Sequence, residues 1–118
     1  MSQDNMLYLI EQKGVAEIDL NGLNDEVRDV AIELSCTLDW EDGNDDLFKI
    51  VDGELKIHEY EKEFDNYLNV YGYGELYFLE YLSEHILNDV EFLFQFQPEG
   101  NPGCSYIVKK NKVKKIKL

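Results

Sequence analysis

Residues 75–97, ELYFLEYLSEHILNDVEFLFQFQ, decide the fold, because a helical apolar pattern is followed at once by a strand pattern. Over residues 75–87 the apolar side chains recur every three or four positions, which is typical of an amphipathic helix. The side chains predicted to point inward are Leu76, Phe78, Leu79, Leu82 and Ile86. Those predicted to face solvent are Glu80, Ser83 and Glu84, and the helix is predicted to end at Asn88-Asp89.

Residues 90–97 alternate instead of following a helical period. Their larger apolar side chains fall on one side, and mostly polar side chains fall on the other. Successive side chains of a strand point to opposite faces. The segment therefore predicts a strand that places Val90, Phe92, Phe94 and Phe96 on the core.

Towards the C-terminus, residues 98–103 (PEGNPG) predict a loop. Residues 105–108 and 113–118 then predict a hairpin that turns near Lys110-Asn111.

Towards the N-terminus, residues 47–60 predict another hairpin, with LFKIV and ELKIHEY as its strands. Asp52-Gly53 joins them, and an Asp-Gly pair is the preferred type I′ turn, in which both central residues need a positive φ. Residues 66–71 (NYLNVY) predict a further short strand.

The first third of the chain predicts two strands and a helix. Residues 6–10 are apolar, and residues 15–20 (VAEIDL) alternate as in a half-buried strand. Asn21-Gly22 interrupts that pattern. Residues 24–38 then carry apolar side chains on one helical face, with Asn24 as the predicted N-cap.

Taken together, the elements follow the order β-α-β-β-(β)-α-β-β-β, in which two helices are separated and flanked by strands. This order predicts one α+β domain over residues 1–118, an antiparallel sheet with two helices on one face. The predicted topology is a ferredoxin-like split β-α-β arrangement with an added hairpin.

The charges are segregated along the chain. All 25 acidic residues lie at or before Glu99, whereas six of the 11 basic residues fall in residues 109–118. Residues 1–108 therefore carry a net charge of −20 and residues 109–118 carry +6. Nucleic acid and anionic membranes are disfavoured as ligands of residues 1–108, because both are polyanions. A basic protein surface is the favoured partner, and long-range attraction would speed its association.

The composition predicts a folded cytoplasmic protein. No apolar run approaches the roughly 18 residues that span a bilayer, and the N-terminus lacks the basic segment of a secretory signal. If the protein is phage-encoded, that cytoplasm is the host cell's. Cys36 and Cys104 lie outside any CxxC spacing, so free thiols are favoured over a disulfide.

Residues 72–113 carry a resemblance to a known family. The segment GYGELYFLEYLSEHILNDVEFLFQFQPEGNPGCSYIVKKNKV resembles the C-terminal half of small phage and plasmid proteins with a ferredoxin-like domain, the Api92-like group. The shared pattern is a turn, a helix, an x-F-x-F-x strand, a Glu-Gly loop and a last hairpin. Tyr73-Gly74-Glu75-Leu76 stands where that family commonly has Trp-Ser-Pro-Pro. The resemblance implies a ferredoxin-like fold and a mobile-element origin, and it supplies no catalytic residues.

Metal and catalytic chemistry find little support in the sequence. His58, His85, Cys36 and Cys104 show no HxxxH or CxxC spacing, so no metal or other cofactor is predicted. Residues 39–46 (DWEDGNDD) resemble a calcium loop in composition, but Lys49 stands where an EF-hand has its Glu. There is no nucleophile motif, P-loop or GxGxxG. We therefore expect a protein that is not an enzyme.

The acidic runs 39–46 and 59–65 are either solvated faces or a partner-binding surface. Duplex phosphates present one charge about every 1.7 Å of helix axis, and closely spaced carboxylates can imitate that array for Arg and Lys side chains. The predicted contact residues are Asp39, Trp40, Glu41, Asp42, Asp45, Asp46, Glu59, Glu61, Glu63 and Asp65.

The favoured hypothesis is therefore a phage or mobile-element inhibitor of anti-CRISPR or anti-restriction type. It would act as a nucleic-acid mimic on the basic surface of a host defence protein. The alternative is an immunity protein that neutralises a basic toxin such as a nuclease. A small enzyme or metal-dependent sensor is the third class. The basic C-terminal segment is either a final strand whose lysines face solvent near acidic neighbours or a separate contact to RNA or DNA.

Overall fold

A computed structural model describes residues 5–34, 47–57, 66–70, 74–100 and 102–116. Within these residues the predicted succession of elements is confirmed, with residues 5–13 rather than 15–20 supplying the first strand. The elements are β1 (Asn5–Lys13), α1 (Leu20–Leu34), β2 (Phe48–Val51), β3 (Glu54–Ile57), β4 (Tyr67–Val70), α2 (Glu75–His85), β5 (Glu91–Gln97), β6 (Cys104–Lys109) and β7 (Lys112–Ile116).

Five strands form one antiparallel sheet in the spatial order β4-β1-β5-β6-β7. β4 and β5 flank β1, both antiparallel to it, and α2 connects them, which makes a split β-α-β unit. In a ferredoxin-like sheet, the strand that follows the first helix pairs with the free edge of the strand that corresponds to β4 here. Here β2 and β3 instead form a separate two-stranded sheet, and the β6–β7 hairpin extends the main sheet beyond β5. The α+β class is confirmed, and the departure from the ferredoxin-like order is confined to these two hairpins.

Hydrogen bonds from side-chain amides explain why the β2–β3 hairpin does not pair with the main sheet. On the β2 edge, Asn24 Nδ2 donates to Phe48 O at 3.0 Å, and Asn24 Oδ1 accepts from Phe48 N at 2.8 Å. On the β3 edge, Gln12 Nε2 donates to Gly53 O at 2.7 Å, and Gln12 Oε1 accepts from Leu55 N at 2.9 Å. These bonds satisfy backbone groups that would otherwise need a neighbouring strand.

One face of the main sheet carries the core. Phe92, Phe94 and Phe96 of β5 are buried on it, as predicted, beside Tyr106 and Val108 of β6. α2 packs on β6 and β7, and α1 packs on α2 and β2, so the helices and the small hairpin cover this face. Each buried phenylalanine contributes about 1.5–3 kcal/mol relative to exposure.

α1 begins four residues before the predicted start. Asp19 is its N-cap, because Asp19 Oδ1 accepts from Gly22 N at 3.2 Å and Asp19 O accepts from Leu23 N at 3.0 Å. Asn24, the predicted N-cap, lies inside the helix and is buried. The prediction was wrong because Asn21-Gly22 falls in the first turn, where a capping bond offsets poor helix propensity.

Of the strand predicted for residues 15–20, residues 15–19 form an extended segment, and Leu20 already belongs to α1. Its alternation is correct, since Ala16 and Ile18 are buried while Val15 and Glu17 are exposed. Among the described residues, its backbone pairing consists of an isolated bridge between Ile18 and Ile86 with flanking hydrogen bonds, and a hydrogen bond from Ala16 N to Gly53 O. The segment therefore joins β1 to α1 without entering the sheet.

The predicted orientations of two side chains of α2 were wrong: Leu76 was expected to face the core, and Ser83 was expected to face solvent. Leu76 is 42% exposed, and Ser83 is 4% exposed. The buried stripe runs through Glu75, Phe78, Leu79, Leu82 and Ser83. This stripe keeps the helical period but is rotated towards Ser83, whose hydroxyl is satisfied because its Oγ donates to Glu80 O at 2.7 Å.

Candidate functional surface

All ten residues of the predicted contact surface lie outside the described residues. They are Asp39, Trp40, Glu41, Asp42, Asp45, Asp46, Glu59, Glu61, Glu63 and Asp65. His58 and Cys36 lie outside them as well. The surface that the structure does describe is built from other carboxylates.

Five of these carboxylates are carried by segments that meet where the extended segment after β1 lies against the end of α2. We call Glu17, Asp19, Glu26, Asp52 and Asp89 the acidic end. Asp19 N donates to His85 O at 2.9 Å, and Leu87 N donates to Glu17 O at 2.8 Å. This backbone pairing brings the segment that carries Glu17 and Asp19 against residues 85–87, which are about 70 residues away in sequence.

Asp52 and Asp89 join the group through their chain neighbours. The carbonyl of Gly53 accepts from Ala16 N at 2.8 Å, which places the β2–β3 turn against the extended segment. Asn88 Nδ2 donates to Val15 O at 2.7 Å, which places Asp89 beside the same segment.

His85 connects the acidic end to both helices. Its Nε2 lies 2.9 Å from Glu26 Oε2, and its Nδ1 lies 3.6 Å from Asp19 Oδ2. Gly22 makes room for the ring, since a Cβ there would lie 2.9 Å from His85 Cε1. Among the described residues, the polar contacts of this ring are two carboxylates and no hydroxyl or thiol. The ring therefore lies between the N-terminal part of α1 and the C-terminal end of α2, in contact with two carboxylates.

Many exposed carboxylates have no counter-charge. Within the described part of the chain, no cation lies within 4.0 Å of six of them, and all six are exposed. They are Glu11, Glu17, Asp52, Glu80, Glu84 and Asp89. Solvent-exposed charges of one sign make a field that attracts cationic partners and repels the chain from itself.

The basic C-terminal segment forms the edge of the main sheet. Its described lysines are all exposed, and we call them the lysine edge: Lys109, Lys110, Lys112, Lys114 and Lys115. Lys109 Nζ lies 3.5 Å from Glu91 Oε1, and the other four make no ion pair with any described carboxylate. The predicted final strand is confirmed over residues 112–116 and its lysines there are exposed. Of the five lysines of the lysine edge, Lys109 alone contacts a described carboxylate. Lysines on an edge strand also oppose strand addition by another chain.

A buried polar cluster lies between α2 and β6. Tyr106 Oη donates to Glu75 Oε2 at 2.9 Å, and both residues are buried. Burial, followed by contacts with Cys104 and Glu75, raises the pKa of Tyr106 above its usual range. The phenol therefore stays protonated and keeps donating. The second oxygen, Glu75 Oε1, is buried and has no hydrogen-bond partner among the described residues. Burying an unpaired oxygen lowers the stability that the cluster contributes at the start of α2.

The described residues include one free cysteine, and they contain no metal-ion cluster and no helix that could span a membrane. Cys104 is a free, half-buried thiol, as expected for that residue. Within the described ranges, no three His, Cys, Asp or Glu side chains are placed to hold a metal ion. No helix in the same ranges combines the length and apolarity that crossing a bilayer requires.

Comparison of the chain with protein-family models, curated proteins and solved structures finds no match in any of the three. The resemblance to the Api92-like group therefore stays a prediction carried by residues 72–113.

The acidic end was missed from sequence because its members come from four separate segments. A weak signal was present, since the alternation over residues 15–20 puts Glu17 and Asp19 on the solvent side. Nothing local indicates that residues 85–89 lie beside them, because that placement depends on α2 packing against α1.

Proposed function

We propose that the protein is a non-enzymatic inhibitor from a phage or other mobile element. It binds the basic nucleic-acid-binding surface of a host defence protein, as an anti-CRISPR or anti-restriction factor does. The acidic runs 39–46 and 59–65 and the acidic end supply the carboxylates that stand in for phosphates.

The observation that supports this proposal is the set of exposed carboxylates without counter-charges. A protein that carried acids only for solubility could neutralise many of them with its own lysines. Here the described lysines of the C-terminal hairpin are gathered on one sheet edge, and only Lys109 meets a carboxylate. Among these carboxylates, Glu17, Asp52 and Asp89 of the acidic end are available to Arg and Lys of a partner, which form charge-assisted hydrogen bonds.

Competition with DNA tests the proposal directly. Labelled duplex DNA is bound to a purified restriction enzyme or CRISPR effector, and its displacement by this protein is followed by fluorescence anisotropy. We expect displacement at low salt and progressive loss as the salt concentration rises, because the Debye length falls from about 10 Å at 0.1 M to about 3 Å at 1 M. Displacement of equal strength at all salt concentrations would reject electrostatic mimicry.

Matched neutralisations locate the surface. The variants are D39N/E41Q/D42N in the first acidic run, E59Q/E61Q/E63Q in the second, and E17Q/D89N in the acidic end. We expect each to weaken displacement by about tenfold or more, since charge-assisted contacts are worth about 1.5–3 kcal/mol. The control is E80Q/E84Q, which removes two exposed charges from α2. Equal loss in control and test variants would indicate a non-specific charge effect.

A further inference from the structure

The main sheet has a second face, which we call the outer face. The core-facing side chains of the sheet point towards the helices and the β2–β3 hairpin. The alternate side chains point the other way, and no described helix or strand packs on them. We infer that this face pairs with a second copy of the chain, and the inference does not depend on the proposed function.

The register shows one row of side chains that crosses four strands of this face. Cα pairing runs from Glu11 to Leu93, from Leu93 to Ile107, and from Ile107 to Lys114. Leu93 and Ile107 are half-buried, and the two charged residues are exposed. From β1 to β7 the row is therefore acidic, apolar, apolar and basic.

That order is self-complementary. A two-fold axis parallel to the strands, between β5 and β6, would place Glu11 of each copy against Lys114 of the other. The same rotation places Leu93 against Ile107. A two-fold interface uses the same patch on both subunits, so the patch must be complementary to itself. A row that is acidic at one end and basic at the other meets that requirement.

The next row is compatible with the same axis. Pairing runs from Tyr8 to Gln95, then to Ser105, then to Ile116, and all four side chains are half-buried. Rotation brings Tyr8 against Ile116, an aromatic–aliphatic contact. It also brings Gln95 against Ser105, two side chains that both donate and accept hydrogen bonds. In this row the polar pair lies at the centre and the apolar pair at the ends, so the row adds hydrogen bonds and apolar contact without adding charge.

The third row contains side chains of both charges. Glu91 lies between Lys13, at 3.7 Å, and Lys109, at 3.5 Å. Lys112 pairs with Lys109 in the hairpin. The axis would oppose Glu91 to Lys109, which is favourable, and Lys13 to Lys112, which is not. This row therefore favours the dimer only weakly, and the first two rows carry the interface.

Charge explains why the outer face is the surface that can self-associate. Its three rows hold four lysines and two glutamates (Glu11 and Glu91), in a chain with a net charge of −14. Two such chains repel each other through their acidic surfaces. Repulsion is least where the local charge is positive, and half-buried apolar side chains there still offer area for contact. Four aliphatic or aromatic side chains, Tyr8, Leu93, Ile107 and Ile116, supply that area.

Sedimentation equilibrium over a wide concentration range tests the inference. We expect the mass to rise from 13.8 kDa towards twice that value. L93E places a charge at the centre of the face and should raise the dimer dissociation constant by about a hundredfold or more. The matched control is L87E, at a side chain that is 58% exposed on another surface, and it should leave the constant unchanged. Far-UV circular dichroism establishes that each variant is folded.

A charge swap gives the sharper test. E11K and K114E should each raise the dissociation constant by about tenfold, because each breaks two symmetry-related pairs. The double variant E11K/K114E should restore it to within about threefold of the original. Three strand spacings, about 14 Å, separate the two residues within one chain, so the restoration must come from contact between copies. A mass of 13.8 kDa at every concentration, as expected if the face binds a different protein or nucleic acid, overturns the inference. A double variant no tighter than the single ones overturns it as well.

Discussion

At the scale of single residues, carboxamide side chains hold together segments that the main sheet does not pair. Asn24 and Gln12 bind the two edges of the β2–β3 hairpin. Asn88 Oδ1 accepts from Val90 N at 3.3 Å, while its Nδ2 donates to Val15 O at 2.7 Å. A carboxamide offers one acceptor and two donors. It can therefore take the place of a neighbouring peptide group where a strand is missing.

Asn24→Leu should destabilise the protein by about 2–4 kcal/mol. The change leaves the backbone N–H and C=O of Phe48 unpaired in a buried site, and each unpaired group costs about 1–3 kcal/mol. Urea unfolding, with the m-value compared between variants, measures the loss. Asn21→Leu is the control, since Asn21 is exposed on the same helix. A loss at Asn24 no larger than at Asn21 would contradict this role of the amide.

Tyr106→Phe should lower stability at neutral pH by about 1–3 kcal/mol, because the buried Glu75 carboxyl loses its donor. The pKa of Tyr106 in the folded protein lies above its value in the unfolded chain. Its contribution to stability is therefore fully present below about pH 10. It declines at higher pH, by at most about 1.4 kcal/mol per pH unit.

Urea unfolding at pH 8 to 11 measures this decline. The gap in stability between the native protein and the Phe variant should narrow above about pH 10. The other tyrosines are present in both proteins and cancel in the comparison. A gap that stays constant through pH 11 would show that Tyr106 does not titrate with unfolding.

At the scale of elements, a β-bulge in β1 links the sheet to the small hairpin. The register of β1 against β5 shifts between Leu9 and Glu11, so Ile10 is an extra residue on β1. Leu9 lies on the core side before the bulge, and Gln12 lies on it afterwards. The bulge therefore directs Gln12 towards β3 and Glu11 towards the outer face.

The β2–β3 turn has the conformation that its sequence predicts. Asp52 has φ 51° and Gly53 has φ 79°, as a type I′ turn requires. Gly53→Ala should cost about 1–2 kcal/mol for the left-handed backbone. It should cost more than that in total, because the new Cβ would lie 2.9 Å from Val15 Cγ1.

Gly100→Ala is the matched control for this change. Gly100 also has a positive φ, 75°, but no atom lies within 4 Å of the position that a Cβ would take there. Thermal unfolding of both variants separates the steric contribution from the backbone contribution. Equal losses of stability in the two variants would mean that Val15 accommodates the new methyl group without a steric penalty.

At the scale of the whole molecule, electrostatic repulsion opposes the compact state. The chain has a net charge of −14, and exposed carboxylates outnumber the ion pairs available to them among the described residues. Isolated surface ion pairs contribute little, about 0–1 kcal/mol each. Repulsion between carboxylates therefore outweighs the stabilisation from ion pairs, and added salt screens this repulsion.

Added sodium chloride should raise the melting temperature. The increase reflects screened repulsion, and differential scanning calorimetry measures it. E17Q/D89N should stabilise the protein by a few tenths of a kcal/mol at low salt and by less at high salt. A melting temperature that falls as salt is added would show that ion pairs outweigh repulsion.

Local chemistry was sufficient to predict much of the fold. The alternation of residues 90–97 identified a central strand, and Asp52-Gly53 identified the turn with its positive φ angles. The two helices and the C-terminal hairpin follow in the predicted order. Helix and strand periods are properties of neighbouring residues, so they can be derived without knowing what packs on them. The predicted contact residues stay a prediction, because they lie outside the described ranges.

The sequence by itself determined the elements, their order, the α+β class and the excess of negative charge. Tertiary structure alone decided that α1 starts at Leu20, that Asn24 bonds to β2, and that Ser83 rather than Leu76 faces the core. It also decided which carboxylates meet at the acidic end and which side chains line the outer face. The physical reason is that capping, burial and charge proximity depend on contacts between segments far apart in the chain, and such contacts leave no periodic signal in either segment.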